Sequence, residues 1–145
     1  MRTLAFTLIL LFGAGASAAP VPKELKQRPD AERILGLWIY DSIDTGNGQA
    51  ASAGRWIFKP NKLYAGGTNT TDNQGVEYGI ILRSELAPTQ LDITQGGRVI
   101  CTGICKFEGE ELHISYVHNG ERPKDYASAP GRTVLKLKRG PEAAK

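Results

Sequence analysis

Three side chains of the kind used in acyl transfer, Glu111, His113 and Ser115, recur at every second position of one segment. In an extended strand that spacing puts a carboxylate, an imidazole and a hydroxyl on one face, the types that serve as orienter, base and nucleophile. Same-face neighbours of a strand stand roughly 7 Å apart, beyond hydrogen-bond reach. The row is therefore expected to face solvent without doing chemistry. No H-E-x-x-H, G-x-S-x-G or phosphate loop occurs in the chain. The expectation is no catalytic residue and no enzymatic activity.

Cys101 and Cys105 are the two thiols. Four residues of extended chain span about 13 Å, whereas a disulfide needs its Cα atoms within about 7 Å. A bridge thus requires a bend or bulge near Gly103; without one, the pair are two small strand residues facing the same side. A zinc site wants three or four ligands, and the odd spacing of His113 and His118 sends them to opposite faces of one strand. No metal and no cofactor are expected. Glu108, Glu110 and Glu111 crowd a hairpin, where they keep the turn solvated or, as the alternative, form a weak calcium site.

The segments that must position these groups alternate with period two. Leu37 to Ile43 places Trp38 and Tyr40 on one side, and Arg55 to Lys59 does the same for Trp56 and Phe58. Pro60-Asn61 turns the chain into a strand from Leu63 to Thr68. Val76 to Arg83 aligns Tyr78, Ile80 and Leu82. Leu91 to Thr94, Val99 to Phe107, Leu112 to Val117 and Thr133 to Lys138 complete eight predicted strands. One helical turn at Asp30 to Arg33 precedes them, with Asp30 as its N-cap and Gly36 ending it.

Residues 1–18 have the grammar of an export signal. Arg2 is followed by an apolar stretch from Leu4 to Ala14 and by Ala16-Ser17-Ala18 before the expected cut. The apolar run of about eleven residues is short of the roughly 20 that cross a bilayer, so no stable membrane anchor is expected. The protein is expected in the periplasm or outside the cell. Residues 19–29 read as a Pro/Lys-rich tether, 30–140 as one β domain, and 141–145 as a loose tail. The chain has 145 residues, a formal charge of +3 and 17 glycines. Glycine at about 12% against a usual ~7% suits a turn-rich all-β body. Removing 18 residues from 145 leaves 127, and with Arg2 gone the charge falls to +2, too small for an electrostatic nucleic-acid binder.

Eight short antiparallel strands with one apolar face either stack as two sheets or close on themselves, and closure removes both exposed edges. Gly36-Leu37-Trp38 stands directly after the helical turn, and Arg139 just past the last strand. This resembles the lipocalin signature, in which a G-x-W tryptophan plugs the closed end of a barrel and an arginine from the chain's end lies over its ring. Gly103-Ile104, Glu108-Gly109-Glu110-Glu111-Leu112, Gly120-Glu121-Arg122-Pro123, Tyr126, Pro130-Gly131 and Leu135-Lys136-Leu137-Lys138-Arg139 resemble a family of small exported lipocalin-like proteins of unknown function, abundant in planctomycete bacteria. The pattern runs from about Ile34 to Arg139. Cys105, where the family more often has an aromatic, and Ala65-Gly66-Gly67 depart from it. The resemblance implies an eight-stranded antiparallel lipocalin-like barrel, with Gly36, Trp38 and Arg139 closing its base, and it transfers no catalytic residue.

The expected inner wall carries eight rings: Trp38, Tyr40, Trp56, Phe58, Tyr64, Tyr78, Phe107 and Tyr116. At about 150–250 Å² buried per ring, they predict a largely filled interior with a shallow apolar pocket at the open end. Tyr40, Trp56, Phe58, Tyr64, Tyr78 and Tyr116 are the candidate ligand-binding residues. Two functional readings follow: a module that binds a small apolar or amphipathic molecule at the barrel mouth, or a filled barrel that meets an envelope protein, such as a protease, through its loops. Arg122 either pins the long connection before the last strand by an ion pair or meets a ligand at the rim. Oligomeric state is not readable from these residues.

Overall fold

The computed structural model describes residues 29–50, 53–67 and 75–141. The expected signal segment, the tether as far as residue 28 and residues 142–145 of the tail lie outside the described residues. A single helical turn, α1 (Asp30–Arg33), leads into nine strands: β1 (Gly36–Asp44), β2 (Gln49–Ala50), β3 (Gly54–Lys59), β4 (Lys62–Gly67), β5 (Val76–Arg83), β6 (Thr89–Gln95), β7 (Arg98–Glu108), β8 (Glu111–His118) and β9 (Arg132–Arg139). All pairings are antiparallel. β1, β3, β4, β5, β6, β7, β8 and β9 follow one another around the sheet, and β9 pairs back onto β1, closing an eight-stranded barrel. The ninth strand, β2, is a two-residue flap paired with Ile43 and Asp44 of β1. It was not anticipated, because so short a segment carries no period of its own.

Each inner position follows from the period of two. Trp38, Trp56, Phe58, Leu63, Ile80, Leu91, Ile93, Leu112, Ile114, Leu135 and Leu137 are buried and packed together in the lumen. Two irregularities adjust the alternation. One is an extra residue in β1 between Tyr40 and Ser42, and the other an extra residue in β7, Ile100, opposite Ile93 and Thr94. The extra residue in β1 returns Ile43 to the inner side after Tyr40, so both flank the β9 leucines.

Asp30 does not cap α1. Pro29 occupies the N-cap position without a side-chain cap, and the Asp30 carboxylate instead accepts a hydrogen bond from the Thr89 hydroxyl at 3.1 Å. The carboxylate thereby ties the helical turn to the start of β6, a long-range contact that local capping rules do not foresee.

The long connection of residues 119–131 lies against the outside of β6, β7 and β8. Arg122 donates to the Gly103 carbonyl at 2.5 Å and to Asp92 Oδ1 at 2.6 Å, while Arg83 holds the other Asp92 oxygen at 2.7 Å. Thr102 donates to the Gly120 carbonyl, and Lys106 lies over the Tyr126 ring at 4.6 Å. This strap explains why the outward-facing Ile104, Asp92 and Ser115 are buried. Arg122 therefore pins the loop by an ion pair. Asp92 is only 3% exposed, and two guanidinium partners offset the cost of its burial.

Candidate functional site

The two ends of the barrel are built from different side chains. At the sealed end α1, the start of β1 and the end of β9 meet. Trp38 and Arg139 are direct register partners across β1 and β9, and the guanidinium lies 4.1 Å from the Trp38 ring centroid. Trp38 is 1% exposed and its indole N–H donates to the Ile34 carbonyl at 2.7 Å. Arg139 also donates to the carbonyls of Leu35 and Arg33. A second stack repeats the motif, with Arg33 4.0 Å above Phe107 and the Phe107 ring 6.0 Å from Trp38. Cation–π pairs of this kind contribute about 0.5–2 kcal/mol each. Gly36 is required here: its φ of +112° is left-handed, and a Cβ on it would stand 2.9 Å from an Arg139 nitrogen. The three residues expected to close the base thus do so.

Towards the opposite end runs a file of aromatic rings. Phe58 meets Trp56 edge-on at 5.8 Å, Trp56 meets Tyr40 at 6.4 Å and Tyr116 at 6.1 Å, and Tyr116 meets the His118 ring at 5.6 Å. Trp56 and Phe58 are buried and form the floor, while Tyr40, Tyr78 and Tyr116 are half-buried against it. Gly54 makes room for this arrangement, since a Cβ there would come within 2.6 Å of the Tyr40 ring. Burial pushes the Tyr116 phenol up to about 12, partly offset by a hydrogen bond with Thr133. Tyr40, Tyr78 and Cys101 stand close enough to add to that shift electrostatically. Burial likewise raises the Tyr40 phenol, offset in part by hydrogen bonding with Trp56.

Five of the six candidate ligand-binding residues therefore share the lumen, and Tyr64 does not. The turn at Pro60-Asn61 pairs Lys59 with Lys62 and Phe58 with Leu63, which sends Leu63 inward and Tyr64 outward. Tyr64 donates to Glu77 on the outer wall at 2.7 Å, beside Lys62, which binds the same carboxylate. Its aromatic character suggested an inner position, but register decided the face.

The cysteines are not bridged. β7 passes through Gly103 with an unbroken register to β8, so the bend a disulfide requires is absent. Cys105 is sealed deep near the base, where burial, with the Asp30 carboxylate adding to it, pushes its thiol up to about 12. Cys101 sits near the other end, directly opposite His118, with Sγ 3.1 Å from Nδ1. This pair was not singled out from the sequence, although its signal was there. The two-residue turn at Gly109-Glu110 sets Glu108 against Glu111, and counting outwards from it sets Cys101 against His118.

On the outer wall, the Glu111, His113 and Ser115 row differs from expectation in two ways. His113 Nε2 lies 3.1 Å from a Glu111 oxygen, because long side chains lean along the strand and close the gap between their Cβ atoms. Two of the three are also buried, His113 being 6% and Ser115 0% exposed. The Ser115 hydroxyl has no hydrogen-bond partner, so His113 does not engage it. Among the described residues no group of three or more His, Cys, Asp or Glu side chains is arranged to hold a metal ion. Glu108 is bound instead by Lys106, which holds its carboxyl below the usual range, with His113 adding to the effect.

Fold and site together define a closed antiparallel β-barrel with a guanidinium-sealed base and a tyrosine-lined mouth. No family model, curated protein or solved structure matches the chain.

Proposed function

We propose that the protein is an exported, non-enzymatic, lipocalin-like barrel that binds one small amphipathic molecule at its open end. The observation that carries this reading is the convergence of Tyr40, Tyr78 and Tyr116 above the apolar floor of Trp56. Small-molecule sites are mostly apolar concavities with a few convergent polar groups. The Tyr40 and Tyr116 phenols, held above their usual pKa, remain neutral donors suited to a carbonyl or hydroxyl head while an alkyl chain meets the rings. The ring file fills the middle of the lumen, which limits the ligand to a short one. The leader at residues 1–18, with cleavage after Ala18, supports delivery to the periplasm or the exterior.

Native mass spectrometry of the cleaved chain equilibrated with decanol and with decanoate tests the reading. One saturable adduct per barrel is expected, lost in Tyr116→Ala and retained in Tyr64→Phe. Absence of any adduct, with an envelope protein copurifying instead, would overturn it in favour of docking through the loops.

A further inference from the structure

We propose that Cys101 and His118 form a thiol–base pair that captures amphipathic α,β-unsaturated carbonyl compounds covalently at the barrel mouth. The inference rests on the mouth being a ligand entrance and adds a bond-forming group to it.

The geometry sets the pair apart from every other thiol or imidazole described. Cys101 and His118 face each other across β7 and β8, on the inner wall, with Sγ 3.1 Å from Nδ1 and 3.8 Å from Nε2. The Tyr116 ring meets the imidazole edge-on at 5.6 Å and orients it. Cys101 has 3% of its surface accessible and burial raises its thiol, while burial takes the Cys105 thiol to about 12. His118 itself is exposed. With the thiol protonated, S–H donates and the imidazole nitrogen accepts, which is the resting arrangement of a nucleophile beside its base.

The spacing also separates this chemistry from metal binding. A zinc ion with bonds of about 2.3 Å to sulfur and 2.0–2.1 Å to nitrogen holds tetrahedral donors about 3.5 Å apart. The observed 3.1 Å is a hydrogen-bond separation, and no third metal-ligating side chain joins the pair among the described residues.

Conjugate addition is the reaction these groups complete by themselves. His118 takes the thiol proton as sulfur attacks the β-carbon; the carbon–carbon π bond breaks, and the proton passes to the α-carbon. Nothing leaves, and no oxidant or water is consumed. The phenols of Tyr40 and Tyr116, kept neutral by burial, are hydrogen-bond donors to the carbonyl oxygen, where negative charge develops.

The test uses the cleaved chain with N-octylmaleimide, and N-octylsuccinimide as the saturated isostere that cannot react. Intact-mass and peptide analysis should find one adduct per chain, on Cys101 and not on Cys105, heavier by the full mass of the maleimide. His118→Gln should slow its formation about a hundredfold or more, the lower end of general-base contributions, with the succinimide still binding by native mass spectrometry. Cys101→Ser should abolish the adduct and keep the succinimide bound. Equal labelling of Cys105, no adduct, or an undiminished rate in His118→Gln would overturn the capture reaction. If the succinimide binds in those cases, the binding function stands alone; if it does not bind, both fall together.

Discussion

The two ends of the barrel contain the same kinds of side chain put to different use. At the base, Trp38 and Phe107 are each covered by a guanidinium, the indole N–H is bonded to a backbone carbonyl, and Arg139 spans two more carbonyls. At the mouth, Tyr40 and Tyr116 pack on the buried Trp56, and Tyr78 is half-buried against the same core. The two cysteines repeat the contrast, with Cys105 sealed and unpartnered and Cys101 facing an exposed imidazole. An aromatic cluster closes a barrel where cations and backbone carbonyls complete it.

The strongest way to break this comparison is at the base. Trp38→Ala should destabilise the fold by about 3–5 kcal/mol, the range for losing a buried large aromatic, read as a lower urea midpoint; a loss under 1 kcal/mol would mean that the base is not a closure. Gly54→Ala should cost about 1–3 kcal/mol by overpacking, because the added Cβ meets the Tyr40 ring at 2.6 Å, and should weaken decanol binding as that ring is displaced. A titration sharpens the electrostatic side. The Tyr116 phenol, ordinarily at 10.0, is raised to about 12 in the fold, so the folded state keeps a proton that the unfolded chain releases. That contribution to stability is whole below pH 10 and is lost as pH climbs towards 12. Ultraviolet titration should show Tyr116 among several late-ionising phenols, with Tyr40 and Tyr126 also raised by burial, and one fewer of them in Tyr116→Phe. Smallest of all, Tyr64→Phe should leave both the urea midpoint and ligand binding unchanged, since Tyr64 and its partner Glu77 lie on the solvent side.

Much of this was legible before any coordinate. The base could be anticipated because Gly36-Leu37-Trp38 and Arg139 sit at the two ends of the strand series, and closing a sheet makes its first and last strands neighbours. Tyr40, Trp56 and Tyr116 were placed on the inner wall by period two. Tyr64 was misplaced because aromatic character was allowed to choose its face, when the turn at Pro60-Asn61 had already chosen Leu63. Asp30 was read as a cap, but tertiary structure gave its carboxylate a partner 59 residues away. The strap over Asp92, Ile104 and Ser115 was invisible because burial on the outer wall comes from a loop that has no period.

What the sequence determined by itself was local: where strands begin and turn, and which residues share a face, since both follow from backbone geometry a few residues long. Even the opposition of Cys101 and His118 was contained in a two-residue turn. The tertiary structure alone decided which charges meet. Arg122 reached Asp92 and Arg139 reached Trp38, because such contacts depend on how eight strands curve and close, a property that no short stretch of chain possesses.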